Sequence, residues 1–373
     1  MRTADVVVIG GGIHGCSTAL HLALRGLKPI LVEKDYAGRH ASGVNAGGVR
    51  QLARDLAEIP LSISSMDLWE KIEDLVGDDC GFTNNGTVLV AENDEELASF
   101  RARVDDLRMR GYTHEELIGR DELKRLVPAV SDHCPGGVVS RRDGAADPFR
   151  TTQAFRKRAI ERGAEVIEGV TVTGLARVGD VWRVETSAGP IEAPKVVNAA
   201  GAWADRIAAM LGEPVPLTVV APMLMVTSRL PAFIDPVVIL RGRKLSFKQL
   251  DNGTVVIGGG HLAVPYRDRN ETVIDWTKLA ISARTVWELF PAMRIATIVR
   301  AWAGIEAYMP DGIPVVGPSA TSEGVYHQFG FSTHGFQLGP GTGAMMAELV
   351  ATGATNVPID GLGIERFGTL KPG

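Results

Sequence analysis

The chain has 373 residues, 45% of them hydrophobic and 22% charged, and its 39 Lys+Arg against 44 Asp+Glu give a formal net charge of −5. That length allows a sizeable core and two lobes, and the composition excludes long disorder. Mild acidity argues against a nucleic-acid partner held through phosphates, and no apolar run reaches the ~18 residues of a membrane span.

The first element is Val6-Val7-Val8-Ile9, an apolar β-branched run that predicts a strand buried on both faces of a parallel sheet. Gly10-Gly11-Gly12-Ile13-His14-Gly15 follows and fits GxGxxG, Cys16 to Leu24 has helical character, and Pro29 to Val32 predicts a second strand ending at Glu33. Strand, glycines, helix, strand and terminal acid together indicate a site for the ADP part of a dinucleotide. Gly10 permits the tight turn, Gly12 lets the backbone approach a pyrophosphate, and Gly15 lets helix and strand pack closely. The helix N-terminus offers N–H donors and partial positive charge. Glu33 can accept hydrogen bonds from ribose hydroxyls and would repel a 2′-phosphate. A plain NAD dehydrogenase has no need of the next segment, the small-residue loop from Ser42 to Arg50, which suits the rest of an extended dinucleotide.

Further along, the pattern changes to hairpins. Val170 to Val172, the Gly179-Asp180 turn, Trp182 to Thr186 and a run from Gly189 to Val197 predict a small antiparallel meander. Lys244 to Leu250, the Asp251-Asn252-Gly253 turn and Thr254 to Ile257 predict a hairpin, with Lys244, Ser246 and Lys248 on one face and Leu245 and Phe247 on the other. Val196 to Trp203 reads as a buried strand ending in small residues. Gly330 to Gln337 and Gly339 to Gly343 read as a glycine-rich segment that opens a final helix, roughly Thr342 to Ala351. Cys16, Cys80 and Cys134 form no CxxC pair and the histidines show no HxxxH or HExxH spacing, so no metal is expected and a reducing, cytoplasmic setting is. The opening residues do not read as a signal peptide.

On four blocks, Gly10 to Glu33, Ser42 to Arg50, Val196 to Trp203 and Gly330 to Gly343, the sequence resembles the D-amino-acid oxidase, glycine oxidase and sarcosine oxidase family of flavoproteins. Within it, the likeness is to the proline, hydroxyproline and opine dehydrogenase branch. The resemblance covers nearly the whole chain. It implies an α/β fold with an α+β second lobe, in which a Rossmann-type FAD-binding domain is interleaved with a mainly antiparallel substrate domain. The first would comprise 1–80, 148–213 and 305–373, the second 81–147 and 214–304. FAD is the implied cofactor, bound non-covalently because the segment Ile305 to Pro310 lacks the cysteine through which some sarcosine oxidases attach theirs. Its contacts are expected at Gly10, Gly12, Ile13, His14, Gly15, Glu33 and Lys34, then at Ser42, Asn45, Ala46, Gly47 and Gly48. The backbone of Val172 would meet the adenine. Ala199, Ala200, Gly201, Trp203, Gly304, Gly330, Thr333, His334, Gly335, Phe336 and Gln337 complete the set.

The implied reaction is hydride transfer from the carbon beside an amine to the flavin, leaving an imine, with a small amino or imino acid as substrate. Arg50 is the expected carboxylate anchor, or else a structural arginine paired within its loop. Lys244 resembles the lysine that sarcosine oxidases place over the flavin to assist reaction with oxygen and would also contact substrate; a solvated strand face explains it equally. Gln337 stands where a sarcosine oxidase has a second carboxylate-binding lysine. His334 is a flavin-pocket residue or a proton-transfer base. Many glycine and D-amino-acid oxidases have an arginine where this chain has Glu306, a departure that favours secondary amines. Electrons pass to oxygen, to a quinone or to a partner subunit; the alternative reading is the flavin subunit of a hetero-oligomeric amine dehydrogenase. The tRNA-modifying branch of the superfamily is disfavoured by the charge and by the lack of a basic stretch.

Overall fold

The computed structural model describes residues 2–368. Val6–Ile9 is buried along its whole length and lies inside a six-stranded sheet. Pro29–Val32 and Lys195–Asn198 flank it in parallel, so that Val8 sits between Leu31 and Val197. Glu165–Ile167 extends the sheet on one side; Val325–Phe329, parallel, and Val315–Pro318, antiparallel, extend it on the other. Side chains facing both ways explain why these strands read as unbroken apolar runs. The run expected to end the meander is divided at Pro194. Ile191–Ala193 closes the antiparallel Val172–Val178 and Val181–Thr186 pair, while Lys195–Asn198 belongs to the parallel sheet.

An eleven-stranded sheet builds the second part of the molecule. Its strands come from 87–140 and 218–308, and Thr218–Thr227 is the hub, pairing antiparallel with Val255–Gly258, Leu262–Tyr266, Ile298–Ala303 and Glu306–Tyr308. The hairpin is present as Leu245–Gln249 against Val255–Gly258, with Phe247 opposite Ile257. Phe247 stacks on Phe290 with ring centres 4.5 Å apart inside a separate apolar core.

Two helices differ from expectation. The first begins at Ile13 rather than Cys16. The last runs Gly335–Thr352 and so begins seven residues before Thr342, with Pro340 inside it. Its glycines are contact points: a Cβ on Gly339 would stand 2.8 Å from Ile13, one on Gly341 2.6 Å from Ser65, and one on Gly343 would collide with Ser17. The helix therefore lies directly against Ile13–Leu24 and Ile59–Trp69, and close packing outweighs the poor helix propensity of glycine.

Candidate active site

A cavity of about 990 Å³ lies between the two sheets, walled by Gly10, Gly12, Ile13 and His14 on one side and by Met223, Leu224, Ile239 and Ser246 on the other. In the glycine loop, the space left by Gly12 is taken up by Ser42. A Cβ on Gly12 would come within 2.9 Å of Ser42 Oγ, the oxygen that accepts the Ile13 N–H at 3.0 Å. Gly15 faces away from the cavity, and a Cβ there would collide with the Gly10 carbonyl, so its role is the close approach of helix and turn. Glu33 accepts the Gly11 N–H at 2.6 Å and the Asp35 N–H at 2.9 Å, one on each oxygen. Each oxygen keeps a lone pair for a ribose hydroxyl. Residues Val170, Thr171, Val172, Ala199, Ala200, Gly201 and Trp203 line the same end. These shapes and donors fit a dinucleotide such as FAD.

Lys34 is on the wall, but its ammonium is engaged by Asp35, by Asn270 Oδ1 at 2.8 Å and by the Trp203 ring at 4.0 Å. Asn270 sits at the tip of the hairpin after Leu262–Tyr266. Arg267 from the same tip donates to the Ala202 carbonyl and to Asp205, both at 2.7 Å. The second sheet therefore grips the first beside the nucleotide end. A second grip holds the 42–50 loop: Trp302 Nε1 donates to the Val44 carbonyl at 2.8 Å, and a Cβ on Gly304 would strike Val44.

The other end of the cavity is cationic. Arg50 and Arg54 both line it, and they are placed by buried carboxylates from distant parts of the chain. Asp143 accepts the N–H groups of Gln51 and Leu52 at 2.8 and 3.1 Å, and Glu115 accepts that of Ala53 at 2.8 Å. Glu115 also holds Arg103 by two bonds, and Arg103 in turn donates to the Arg54 carbonyl at 2.8 Å. Burial drives the Asp143 carboxyl up to about 6 against the pull of those amides. Arg54 is 2% exposed, and its Nε and Nη1 have no partner. Burial, then the neighbouring charge of Arg50, bring its guanidinium down to about 9. Unpaired buried donors of this kind are costly unless an anion meets them.

Of the expected residues, Ser42, Asn45, Ala46, Gly48, Gly304, Gly330, Thr333, Gly335 and Phe336 also line the cavity. Four others are placed differently. Gly47 turns away: a Cβ there would collide with the Ala146 carbonyl and stand 2.8 Å from Lys248 Nζ. His334 lies behind the wall, its Nδ1 3.0 Å from Glu58, and burial followed by the charge of Arg54 lowers it to about 4, so the ring is neutral and donates to the carboxylate. Gln337 is fully buried; it accepts from Ser62 Oγ at 3.0 Å and donates to the Ser62 carbonyl at 2.9 Å, which leaves no atom for a substrate in the cavity. Lys244 is exposed at the rim, donating to the Gly260 carbonyl at 3.3 Å. Lys248, expected on the same face as Lys244, is 8% exposed, and burial lowers it to about 8, so that face runs from solvent at Lys244 into the interior at Lys248. Arg54, Arg103, Glu58 and Tyr308 were not singled out from sequence. Among the described residues no cluster of three or more His, Cys, Asp or Glu is arranged to hold a metal, and no helix is long and apolar enough to cross a membrane.

Residues 5–349 match the family model described as DAO, FAD dependent oxidoreductase. The mitochondrial sarcosine dehydrogenase of Mus musculus is 29% identical over 98% of this chain and 41% of its own length, so the chain spans about two fifths of that relative. The sarcosine oxidase subunit beta of Rhizobium meliloti is 28% identical, with 97% of this chain and 88% of that protein covered. Among solved structures, L-proline dehydrogenase from P. horikoshii superposes with a TM-score of 0.91 at 30% identity, covering 98% of each chain. Glycine oxidase from Geobacillus kaustophilus shares the fold, with a TM-score of 0.89 at 22% identity over 98% of this chain and 99% of that one.

Proposed function

The chain belongs to the DAO family of FAD-dependent oxidoreductases, and from that premise we propose that it oxidises the carbon–nitrogen bond of a small amino or imino acid carrying a secondary amine, such as proline, hydroxyproline, sarcosine or an opine. FAD, when bound, supplies the acceptor for a hydride from the carbon beside nitrogen, and the resulting imine is open to hydrolysis. The glycine loop, Glu33 and the Ala199–Gly201 segment hold the dinucleotide. Arg50 and Arg54 take the substrate carboxylate and fix the position of the carbon to be oxidised. The observation that carries the reading is Arg54, buried on the cavity wall beside Arg50 with two donor nitrogens unpaired.

The test is anaerobic bleaching of the flavin absorbance against a panel of proline, hydroxyproline, sarcosine, opines and D-amino acids. Bleaching by one class names the substrate. No bleaching by any carboxylate-bearing amine would sink the proposal.

A second reading, the flavin subunit of a hetero-oligomeric dehydrogenase, is favoured by one surface feature. Helix Trp276–Leu289 leaves Trp276 and Trp287 68% and 46% exposed, and Ile295 and Val299 beyond it are 79% and 62% exposed. Exposed aromatic and branched side chains in that number suit a protein partner. Dye reduction without peroxide formation by the isolated chain supports this reading; rapid peroxide formation supports the oxidase.

A further inference from the structure

Ser332 and Thr333 are consecutive non-glycine residues with φ of 50° and 71°, a conformation that costs energy and persists only where the surroundings enforce it. Three bonds to the strand Glu306–Tyr308 and its end enforce it here. Ser332 N–H donates to the Ala307 carbonyl at 3.2 Å, Met309 N–H to Ser332 Oγ at 3.1 Å, and Thr333 N–H to Glu306 Oε1 at 2.6 Å. The strained turn thus aims an N–H at one oxygen of a carboxylate on the cavity wall. The second oxygen, Oε2, has no hydrogen-bond partner among the described residues.

The surroundings of Glu306 contain no balancing cation. On its own strand the titratable neighbour is Tyr308. The paired strand presents Thr218, Val219 and Val220, and the packed turn Gly201–Trp203 is uncharged. The strained turn contributes Thr333, and His334 with its ring directed to Glu58. Among the described residues no lysine, arginine or histidine lies within ion-pair distance of Glu306. On the other side of the same turn, Arg54 Nη2 lies 3.4 Å from the His334 carbonyl. One short segment therefore separates a carboxylate with no ion-pair partner from a guanidinium with two unpaired nitrogens, and both face one cavity.

We propose that Glu306 receives the substrate's nitrogen: its free oxygen binds the cationic amine and takes the amine's proton before the carbon–nitrogen bond is oxidised. The proposal rests on the amino-acid reading above, with the carboxylate on Arg50 and Arg54 and the nitrogen on Glu306. In the step, one N–H bond of the ammonium breaks and one O–H bond forms on Glu306. The electron pair stays on nitrogen, which becomes neutral; nothing is oxidised or reduced. Burial raises the carboxyl to about 7 despite the Thr333 N–H, a value suited to a group that exchanges a proton near neutrality.

The test uses the FAD-loaded full chain. α-Aminoisobutyrate has an ammonium and a carboxylate but no hydrogen on the carbon beside nitrogen, so it binds without turnover; isobutyrate lacks the nitrogen. Calorimetry at pH 6 in buffers of different ionisation enthalpy reads the protons released on binding. Below its raised pKa, Glu306 must ionise to hold an ammonium, so α-aminoisobutyrate releases up to about one proton while isobutyrate releases none. Glu306→Gln abolishes the release and leaves isobutyrate binding unchanged. In turnover the same variant loses roughly a hundredfold in kcat/KM and the limb of the pH profile near neutrality. Equal proton release by the two ligands, or release that persists in Glu306→Gln, overturns the proposal while leaving the amino-acid reading intact. If Glu306→Gln fails to retain FAD, the comparison of the two ligands on the unaltered protein decides alone. Failure of every amino acid to bleach the flavin overturns the amino-acid reading, and this inference with it.

Discussion

The Arg54 guanidinium donates from Nη2 to the backbone carbonyl of Arg50 at 2.6 Å, so two arginines four residues apart share one wall of the cavity. Arg50 uses Nη1 on the Leu52 carbonyl, while Arg54 keeps Nε and Nη1 unpaired. Two like charges held together in a poorly solvated wall favour an anion between them.

Arg54→Ala is therefore expected to leave the flavin spectrum and melting temperature little changed while turnover collapses. Removing one partner of a desolvated charge pair costs ~3–5 kcal/mol, or roughly two to four orders of magnitude in kcat/KM. Arg50→Ala should act in the same direction. Arg54→Lys should recover part of the loss, because an ammonium keeps the charge without the two-pronged contact. Steady-state kinetics beside flavin spectra decide this; unchanged kcat/KM in both alanine variants would move carboxylate recognition elsewhere.

Glu33 is tied to the loop that it helps to shape, which gives its removal two consequences. Glu33→Ala frees the Gly11 and Asp35 N–H groups and takes away the ribose acceptor. We expect FAD affinity to weaken by ~1.5–3 kcal/mol if charge-assisted bonds are lost, and the melting temperature of the FAD-free chain to fall as well. Fluorescence of released flavin measures the first and thermal denaturation the second. Full FAD affinity in the variant would remove Glu33 from the site.

Intact FAD should leave the protein on denaturation. Attachment through sulfur needs an accessible thiolate, yet Cys16, Cys80 and Cys134 are all buried. Burial pushes Cys80 and Cys134 up to about 12, and Cys16 higher still. After acid precipitation the yellow colour belongs in the supernatant; flavin in the pellet would contradict non-covalent binding.

The opening strand, glycine turn and helix were legible in the sequence because their signals are local: an apolar run for a strand buried on both faces, and glycines spaced for a turn. Other features depend on residues far apart in the chain. Gly339, Pro340 and Gly341 read as a glycine-rich segment ahead of the helix, yet they lie inside it, pressed against Ile13 and Ser65. Nothing near Arg54 marks it out; its position is set by Glu115 and Asp143, which reach back to the amides of Gln51, Leu52 and Ala53. Gln337 stands in a glycine-rich block, whereas Ser62 on another helix determines where its amide goes. Glu306 departs from the family pattern in the sequence itself, but its pairing with Thr333 depends on two residues of positive φ that composition does not reveal.

Stability should fall on mild acidification through the buried histidines, and His21 isolates the effect. It lies in helix Ile13–Leu24, 6% exposed with Nε2 unpartnered, and burial followed by the charge of Arg25 lowers it to about 4. In the unfolded chain it titrates near ~6.5. Between these values the unfolded state binds the extra proton, so stability is full above about 6.5 and declines as pH falls towards 4. At pH 5 the displacement of roughly 1.5 units corresponds to about 2 kcal/mol. Asp143 and Glu306, raised by burial, act in the opposite sense, but they titrate alike in a His21→Leu variant and cancel in the comparison. Urea unfolding of the FAD-loaded protein should therefore show His21→Leu gaining about 2 kcal/mol on the unaltered chain between pH 7 and pH 5. A difference that stays constant across that interval would show that His21 is protonated equally in the folded and unfolded states, and would remove burial as the source of acid sensitivity at this helix.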